Sequence, residues 1–201
     1  NLLHRSHHGF RKSHNTCTAM LQMYDFWIEH LEDDEISAAV LIDMSAAFDV
    51  VDHQKMKIYG FQTNSIEWIK SYLSERFQQV LIDGHLSPRL ALEAGVPQGS
   101  ILGPLLIIIF TNDLPEVFNE YVVDDGEYLE TVSNKNCELF DEICCYAYVT
   151  TFSKSDKDPF KLRTDIDIKY KTLENYKHQN KLVINSDKTH LLVTTTSAKY
   201  I

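Results

Sequence analysis

The 201-residue chain has no apolar stretch long enough to cross a bilayer as a helix. Its longest, Ile101 to Phe110, is interrupted by Gly103 and Pro104 and falls well short of the roughly 18 to 20 residues a span needs, so it reads as a buried helix. A secretory opening is also missing, because His4, Arg5, His7, His8, Arg11, Lys12 and His14 crowd the first fifteen residues with no apolar segment among them. Cysteine is sparse. Of Cys17, Cys137, Cys144 and Cys145, the adjacent pair is poorly placed to bridge itself, and no CxxC spacing occurs. That excludes the usual zinc and redox frameworks and fits a reducing compartment. The N-terminal histidines lack a second ligand cluster and lie among bases, so no metal is assigned to them.

Positive charge is scarce as well: 19 Lys and Arg stand against 29 Asp and Glu, a net charge of -10. Averaged over the chain, this argues against a polyanionic partner. The deficit is local, however. Between Asp113 and Glu142, ten acids accompany a single base, Lys135, which leaves 18 bases against 19 acids elsewhere. A solvated acidic surface insertion at about 113–142 accounts for it. The remaining composition, 44% hydrophobic, supports one sizeable soluble core. Because Asn1 stands where Met would begin a chain and a Thr-rich apolar run closes it, these residues are expected to be a segment of a longer protein.

Periodicity supplies the elements. Asn15 is a plausible N-cap for a helix to about His30, with Met20, Leu21, Tyr24, Trp27, Ile28 and Leu31 at three- and four-residue steps. Ala38 to Ile42 is a short apolar run ending at Asp43, which predicts a buried strand delivering a carboxylate at its end. Ala46 to Tyr59 has helical composition and stops at Gly60, and Asn64 is placed to cap the next helix. Phe77 to Ile82, Asp83-Gly84 and Leu90 to Leu92 predict a hairpin. Ser100 can cap the apolar helix, and from Asn119 to Asp141 periodicity fades. Ile143 to Phe152 predicts two short strands around a turn. Pro159 opens a helix through Tyr176, and Leu182 to Ile184 and Leu191 to Val193 are further strands. No internal repeat is visible. The order predicts an α+β fold with a split βαβ sheet and helices on one face.

Four ordered blocks resemble the reverse transcriptase domain of non-LTR retrotransposons and together cover nearly the whole chain. HHGFRKSHNT (His7 to Thr16) resembles the fingers motif, and LIDMSAAFDVVDH (Leu41 to His53) the first palm motif. AGVPQGSILGPLL (Ala94 to Leu106) resembles the second palm motif, and NKLVINSDKTHLLV (Asn180 to Val193) the stretch closing the palm. The resemblance implies a right-hand polymerase palm with partial fingers and no thumb within these residues: a fingers segment at 1–36 and a palm at 37–201. It further implies template-directed DNA synthesis with Mg²⁺ or Mn²⁺, an RNA template, a DNA primer and deoxynucleotide triphosphates as partners, and an intracellular location in cytoplasm and nucleus. Asp43 would be the first metal ligand and Met44 would offer its carbonyl near the second ion. Phe48 would be the steric gate against a ribose 2′-hydroxyl, and Gln98 and Gly99 would lie beside the incoming base pair. Arg11 and Lys188 would meet the triphosphate. Apart from the resemblance, Asp43 also reads as a strand-end cap, Phe48 as a core aromatic, Pro97-Gln98-Gly99 as a turn, and Arg11 and Lys188 as solvated charges.

One departure bears on activity. The third palm motif of such enzymes reads Tyr-Ala-Asp-Asp on a tight hairpin, and here the match falls on CYAYVTTFSKSDKDP. Tyr146 and Ala147 fit, but Tyr148 and Val149 stand where the aspartates belong. Neither a phenol, protonated at neutral pH, nor an isopropyl group replaces a hard-cation ligand. The copy is therefore expected to be inactive, leaving two alternatives: a non-catalytic nucleic-acid or protein binding module, or a decayed relic. Tyr121-Val122-Val123-Asp124-Asp125-Gly126 remains open as a substitute carboxylate hairpin.

Overall fold

The structure, a computed structural model, describes residues 3–45, 47–51, 62–118, 120–124, 129–133, 142–147 and 149–196. Helix α1 (Thr16–Glu32) starts where the sequence places it. The Asn15 side chain accepts from the Thr18 amide at 3.0 Å while the Thr18 hydroxyl accepts from the Asn15 amide at 2.9 Å, a reciprocal capping box. Strand β1 (Ile36–Ser45) is next and runs two residues beyond Asp43. A single 3-10 turn, Ala47–Asp49, stands at the head of the expected helix over 46–59, whose remaining residues 52–59 lie outside those described. Helix α2 (Thr63–Leu73) begins one residue before Asn64, which corrects the expected cap. Gln62 occupies that place and makes no side-chain bond to the helix, leaving Asn64 within the first turn.

The expected hairpin is longer and is broken in the middle. Strand β2 (Phe77–Gln78) and strand β3 (Leu81–Ile82) go out, and strand β4 (His85–Leu86) and strand β5 (Leu90–Ala91) return. β2 pairs with β5 and β3 with β4. Asp83 (φ 48°) and Gly84 (φ 81°) make the two-residue turn, as an Asp-Gly pair should. Helix α3 (Leu102–Phe110) follows with Ile101 at its N-cap, and the expected cap, Ser100, stands one residue further out, its hydroxyl accepting from Gly103 N at 2.9 Å. After the short helix α4 (Leu114–Val117), the acidic region holds more regular structure than fading periodicity suggested. Strand β6 (Glu120–Asp124) and strand β7 (Leu129–Ser133) pair antiparallel. Tyr121, Val122, Val123, Thr131 and Val132 have high strand propensity, which interleaved carboxylates do not abolish.

The main sheet is antiparallel. Strand β8 (Glu142–Tyr146) pairs with strand β9 (Val149–Asp156), which pairs with β1 along its length. The other edge of β1 is shared: strand β10 (Val183–Ile184) pairs with its C-terminal end, and strand β11 (His190–Thr194) with its N-terminal half. Helix α5 (Pro159–Gln179), N-capped by Asp158, connects β9 to β10. Because side chains alternate along a strand, Val40, Ile42, Met44, Cys145 and Phe152 point into one core with Ile107, Phe110, Leu173 and Tyr176 of α3 and α5. Cys144 and Tyr146 point the other way, onto Ala19, Met23 and Trp27 of α1. Asp43 belongs to that second face.

Candidate polymerase site

Asp43 is placed by both neighbours of β1. On one side its pairing partner is Val149, and Val149 in turn pairs with Tyr146, so Asp43, Val149 and Tyr146 form one row across three strands with side chains on the same face. On the other side the Asp43 carbonyl accepts from the Asn185 amide at 2.9 Å. Asn185 then organises the following turn. Its side chain accepts from the Asp187 amide at 3.2 Å, and its carbonyl accepts from the Lys188 amide at 3.2 Å and the Thr189 hydroxyl at 2.8 Å. The 3-10 turn Ser186–Lys188 brings Lys188 Nζ to 3.5 Å from Asp43 Oδ2. The Lys188 side chain is 69% exposed and that of Asp43 only 14%. Met44, next in the strand, is buried and pairs with Ile184.

The hairpin opposite Asp43 turns over two residues between Tyr146 and Val149. Ala147 has φ 59°, the left-handed conformation such tight hairpins require. Tyr148, the other turn position, lies outside the described residues. The structure therefore places Val149, one of the two positions at which the resemblance implies an aspartate, in direct register with Asp43. Asp124 ends β6, in a two-stranded sheet separate from that of Asp43, and Asp125 lies outside the described residues.

The fingers motif packs on this hairpin from behind. His8 N donates to Cys145 O at 2.8 Å and Cys145 N to Ser6 O at 2.8 Å, forming a parallel bridge between His7 and Cys145. Gly9 lies against the turn: a Cβ there would collide with Ala147 N and stand 3.0 Å from the carbonyl carbon of Tyr146. Arg11 donates through Nη1 to the carbonyls of His4 (3.1 Å) and His7 (3.2 Å), tying its own loop together. The His7 ring is buried beside the Thr111 carbonyl, 3.2 Å from Nε2, and burial pushes its pKa down to about 4.

The first and second palm motifs meet through their backbones. Val96 N donates to Phe48 O at 2.6 Å and Gly95 N to Val51 O at 3.1 Å. A Cβ on Gly95 would meet the backbone of Asp49 at 2.7 and 2.8 Å, and its φ of 81° independently demands glycine. Phe48 is half-buried against the main core. The Gln98 amide lies 3.4 Å from Asp49 Oδ1, while Gly99, φ 78°, faces open space. Three contributors escaped sequence reasoning. Gly9 and Gly95 owe their identities to close backbone approach, which no local pattern announces. Arg76 fastens the base of the β2–β5 hairpin to the Ala94 and Gly95 carbonyls at 3.2 and 2.6 Å, and it reads in sequence as another surface base.

Among the described residues no three Asp, Glu, His or Cys side chains gather where a metal ion could be held. One carboxylate, paired with an ammonium and facing an isopropyl group, does not fit a pair of hard divalent cations, which need several oxygen ligands.

The chain resembles known proteins along its length. The profile described as "Reverse transcriptase (RNA-dependent DNA polymerase)" matches residues 1–201. A probable RNA-directed DNA polymerase from transposon BS of Drosophila melanogaster is 34% identical over 143 residues, 68% of this chain and 16% of that protein. The RNA-directed DNA polymerase from mobile element jockey of Drosophila funebris is 32% identical over 155 residues, 76% of this chain and 17% of that protein. The chain thus spans less than a fifth of these relatives. In fold, Candida tropicalis telomerase, solved in complex with a TWJ fragment of telomeric RNA, superposes with a TM-score of 0.61 at 14% identity over 96% of this chain and 31% of the telomerase chain.

Proposed function

The chain belongs to the reverse transcriptase (RNA-dependent DNA polymerase) family, and from that premise we propose that it is a palm with part of the fingers that holds nucleic acid but does not extend it. The observation that carries this reading is the register of Val149 with Asp43. Reverse transcriptases use divalent metal ions, Mg²⁺ or Mn²⁺ in our reading, held by carboxylates on these two strands. With Val149 and Tyr148 in place of aspartates, the reacting 3′-hydroxyl and the departing pyrophosphate have no metal pair to stabilise them. Each ~1.4 kcal/mol of lost stabilisation lowers the rate tenfold.

The partners that suit the remaining surface are an RNA template paired with a DNA primer, and deoxynucleotide triphosphates. Phe48, Gln98, Gly99 and the Met44 carbonyl would line the nucleotide position, with Arg11 and Lys188 serving the phosphates. A telomerase of like fold was solved with RNA bound, which supports a nucleic-acid groove. In this reading the chain works inside the cell, in cytoplasm and nucleus.

Primer extension on an RNA template tests the proposal. The unmodified chain gives no incorporation with Mg²⁺ or Mn²⁺, while the Tyr148→Asp, Val149→Asp double variant, joined to a thumb from a relative, gains it. Incorporation by the unmodified chain overturns the proposal, and loss of that incorporation in Asp124→Ala would assign the chemistry to the acidic hairpin. Salt-dependent association with an RNA/DNA hybrid is expected; its absence leaves a relic that holds nothing.

A further inference from the structure

The charges around Asp43 support a further step, which rests on the reading of this groove as a phosphate-holding palm. A centre of three carboxylates repels phosphate until divalent cations neutralise it. Here neither companion position holds a carboxylate: Val149 is apolar and residue 148 is a tyrosine. The surviving carboxylate already has a cation of its own, Lys188 Nζ at 3.5 Å. This contact is not a chance approach of a long side chain, because the turn that delivers Lys188 is bonded at its origin to the Asp43 carbonyl through the Asn185 amide. The Lys188 side chain is mostly exposed while that of Asp43 is mostly covered, so an arriving ligand meets the lysine first.

We propose that Lys188 replaces the divalent ions as the counter-charge of Asp43, so that this palm binds phosphates, of a nucleic-acid backbone or of a nucleoside triphosphate, without divalent metal. The inversion is specific to the substituted site: restoring the aspartates, one of them at the Val149 position opposite Asp43, adds negative charge and makes phosphate binding depend on metal again.

Fluorescence anisotropy of a labelled RNA/DNA hybrid at fixed ionic strength, in EDTA and in Mg²⁺, reads the effect. For the unmodified chain the Kd in EDTA is expected within about twofold of that in Mg²⁺. In EDTA the Tyr148→Asp, Val149→Asp variant should bind on the order of tenfold more weakly, recovering when Mg²⁺ is added. Lys188→Gln should weaken binding several-fold in EDTA. Competition by dTTP in EDTA assigns the site to a triphosphate, and failure to compete assigns it to the backbone. Binding by the unmodified chain that requires Mg²⁺, or an unchanged affinity in Lys188→Gln, overturns the proposal. An independent arm uses Mn²⁺ alone, followed by its paramagnetic resonance. The unmodified chain should hold no Mn²⁺ that Asp43→Asn releases, whereas the double variant should. Should the hybrid not bind under any condition, the nucleic-acid reading fails, while the Mn²⁺ arm still decides whether Asp43 is closed to metal.

Discussion

Val149 stands directly across from Asp43 in the antiparallel pairing of β9 with β1, so an isopropyl group is in register with the carboxylate near the end of the strand. Installing Val149→Asp alone would set two carboxylates opposite each other, an arrangement that costs up to about 1 kcal/mol on a sheet. We expect that variant to melt below the unmodified chain in EDTA and to gain stability on adding Mn²⁺, since a bound ion favours the folded state. Thermal melts of both proteins with and without Mn²⁺ check this; an unmodified chain that responds equally would contradict the role assigned to position 149.

Gly9 and Gly99 should respond to alanine for different reasons. At Gly9 the new methyl group meets the backbone of Tyr146 and Ala147, and the fingers loop must shift, costing about 1–3 kcal/mol. At Gly99 the methyl group meets open space and only the left-handed backbone is penalised, by roughly 1 kcal/mol. Denaturant midpoints at constant slope should therefore fall further for Gly9→Ala than for Gly99→Ala.

The thiols report on helix α1. Burial pushes Cys145 up to about 12 and Cys144 to about 11, whereas Cys17 is exposed on α1. Alkylation at neutral pH, followed by mass spectrometry, should modify Cys17 well before Cys144 or Cys145, because the thiolate is the reactive form. Asn15→Ala removes the cap of the helix that covers Cys144 and should cost about 1 kcal/mol. Faster alkylation of Cys144 in that variant would show the helix lifting, and an unchanged rate would argue that the cap does not hold it down.

Acid should weaken the fold through His7. Its imidazole is neutral in the folded and unfolded chain above pH 6.5; as pH falls from there toward about 4, the unfolded chain takes up a proton that the buried ring refuses. Stability is therefore lost on acidification, by up to roughly 3 kcal/mol. Glu142 acts in the opposite sense at lower pH, since burial raises its pKa and favours the folded, protonated form. His7→Gln keeps a donor for the Thr111 carbonyl and cannot titrate, so the difference between the two pH–stability profiles isolates His7. A His7→Gln profile as steep as the original would refute the assignment.

Elements with strong local signals were legible in the sequence. The Asn15 cap, the Asp83-Gly84 turn, the apolar run into Asp43 and the Pro159 start all rest on chemistry within a few residues, and the structure has them. Asn64 misled because its capping preference competes with a helix that nucleates one residue earlier. The β6–β7 hairpin was obscured by carboxylates, which mask period-two alternation without abolishing strand propensity. At the site, the motif order singled out Asp43 and Val149, but their registry, the Lys188 contact and the packing of Gly9 on Ala147 join residues more than a hundred positions apart. Such pairings leave no periodic trace in one sequence.

Strand β1 is hemmed in on both edges, by β9 on one side and by β10 and β11 on the other. Slipping it by one residue would turn Val40, Ile42 and Met44 out of the core, so the skeleton resists rearrangement whatever occupies the hairpin tip. The strand register is thereby held by the apolar face of β1 and not by the side chains at the hairpin tip. In the proposed reading, two exchanges at the hairpin remove the reaction without altering the register of β1, and two reverse exchanges are the shortest way back.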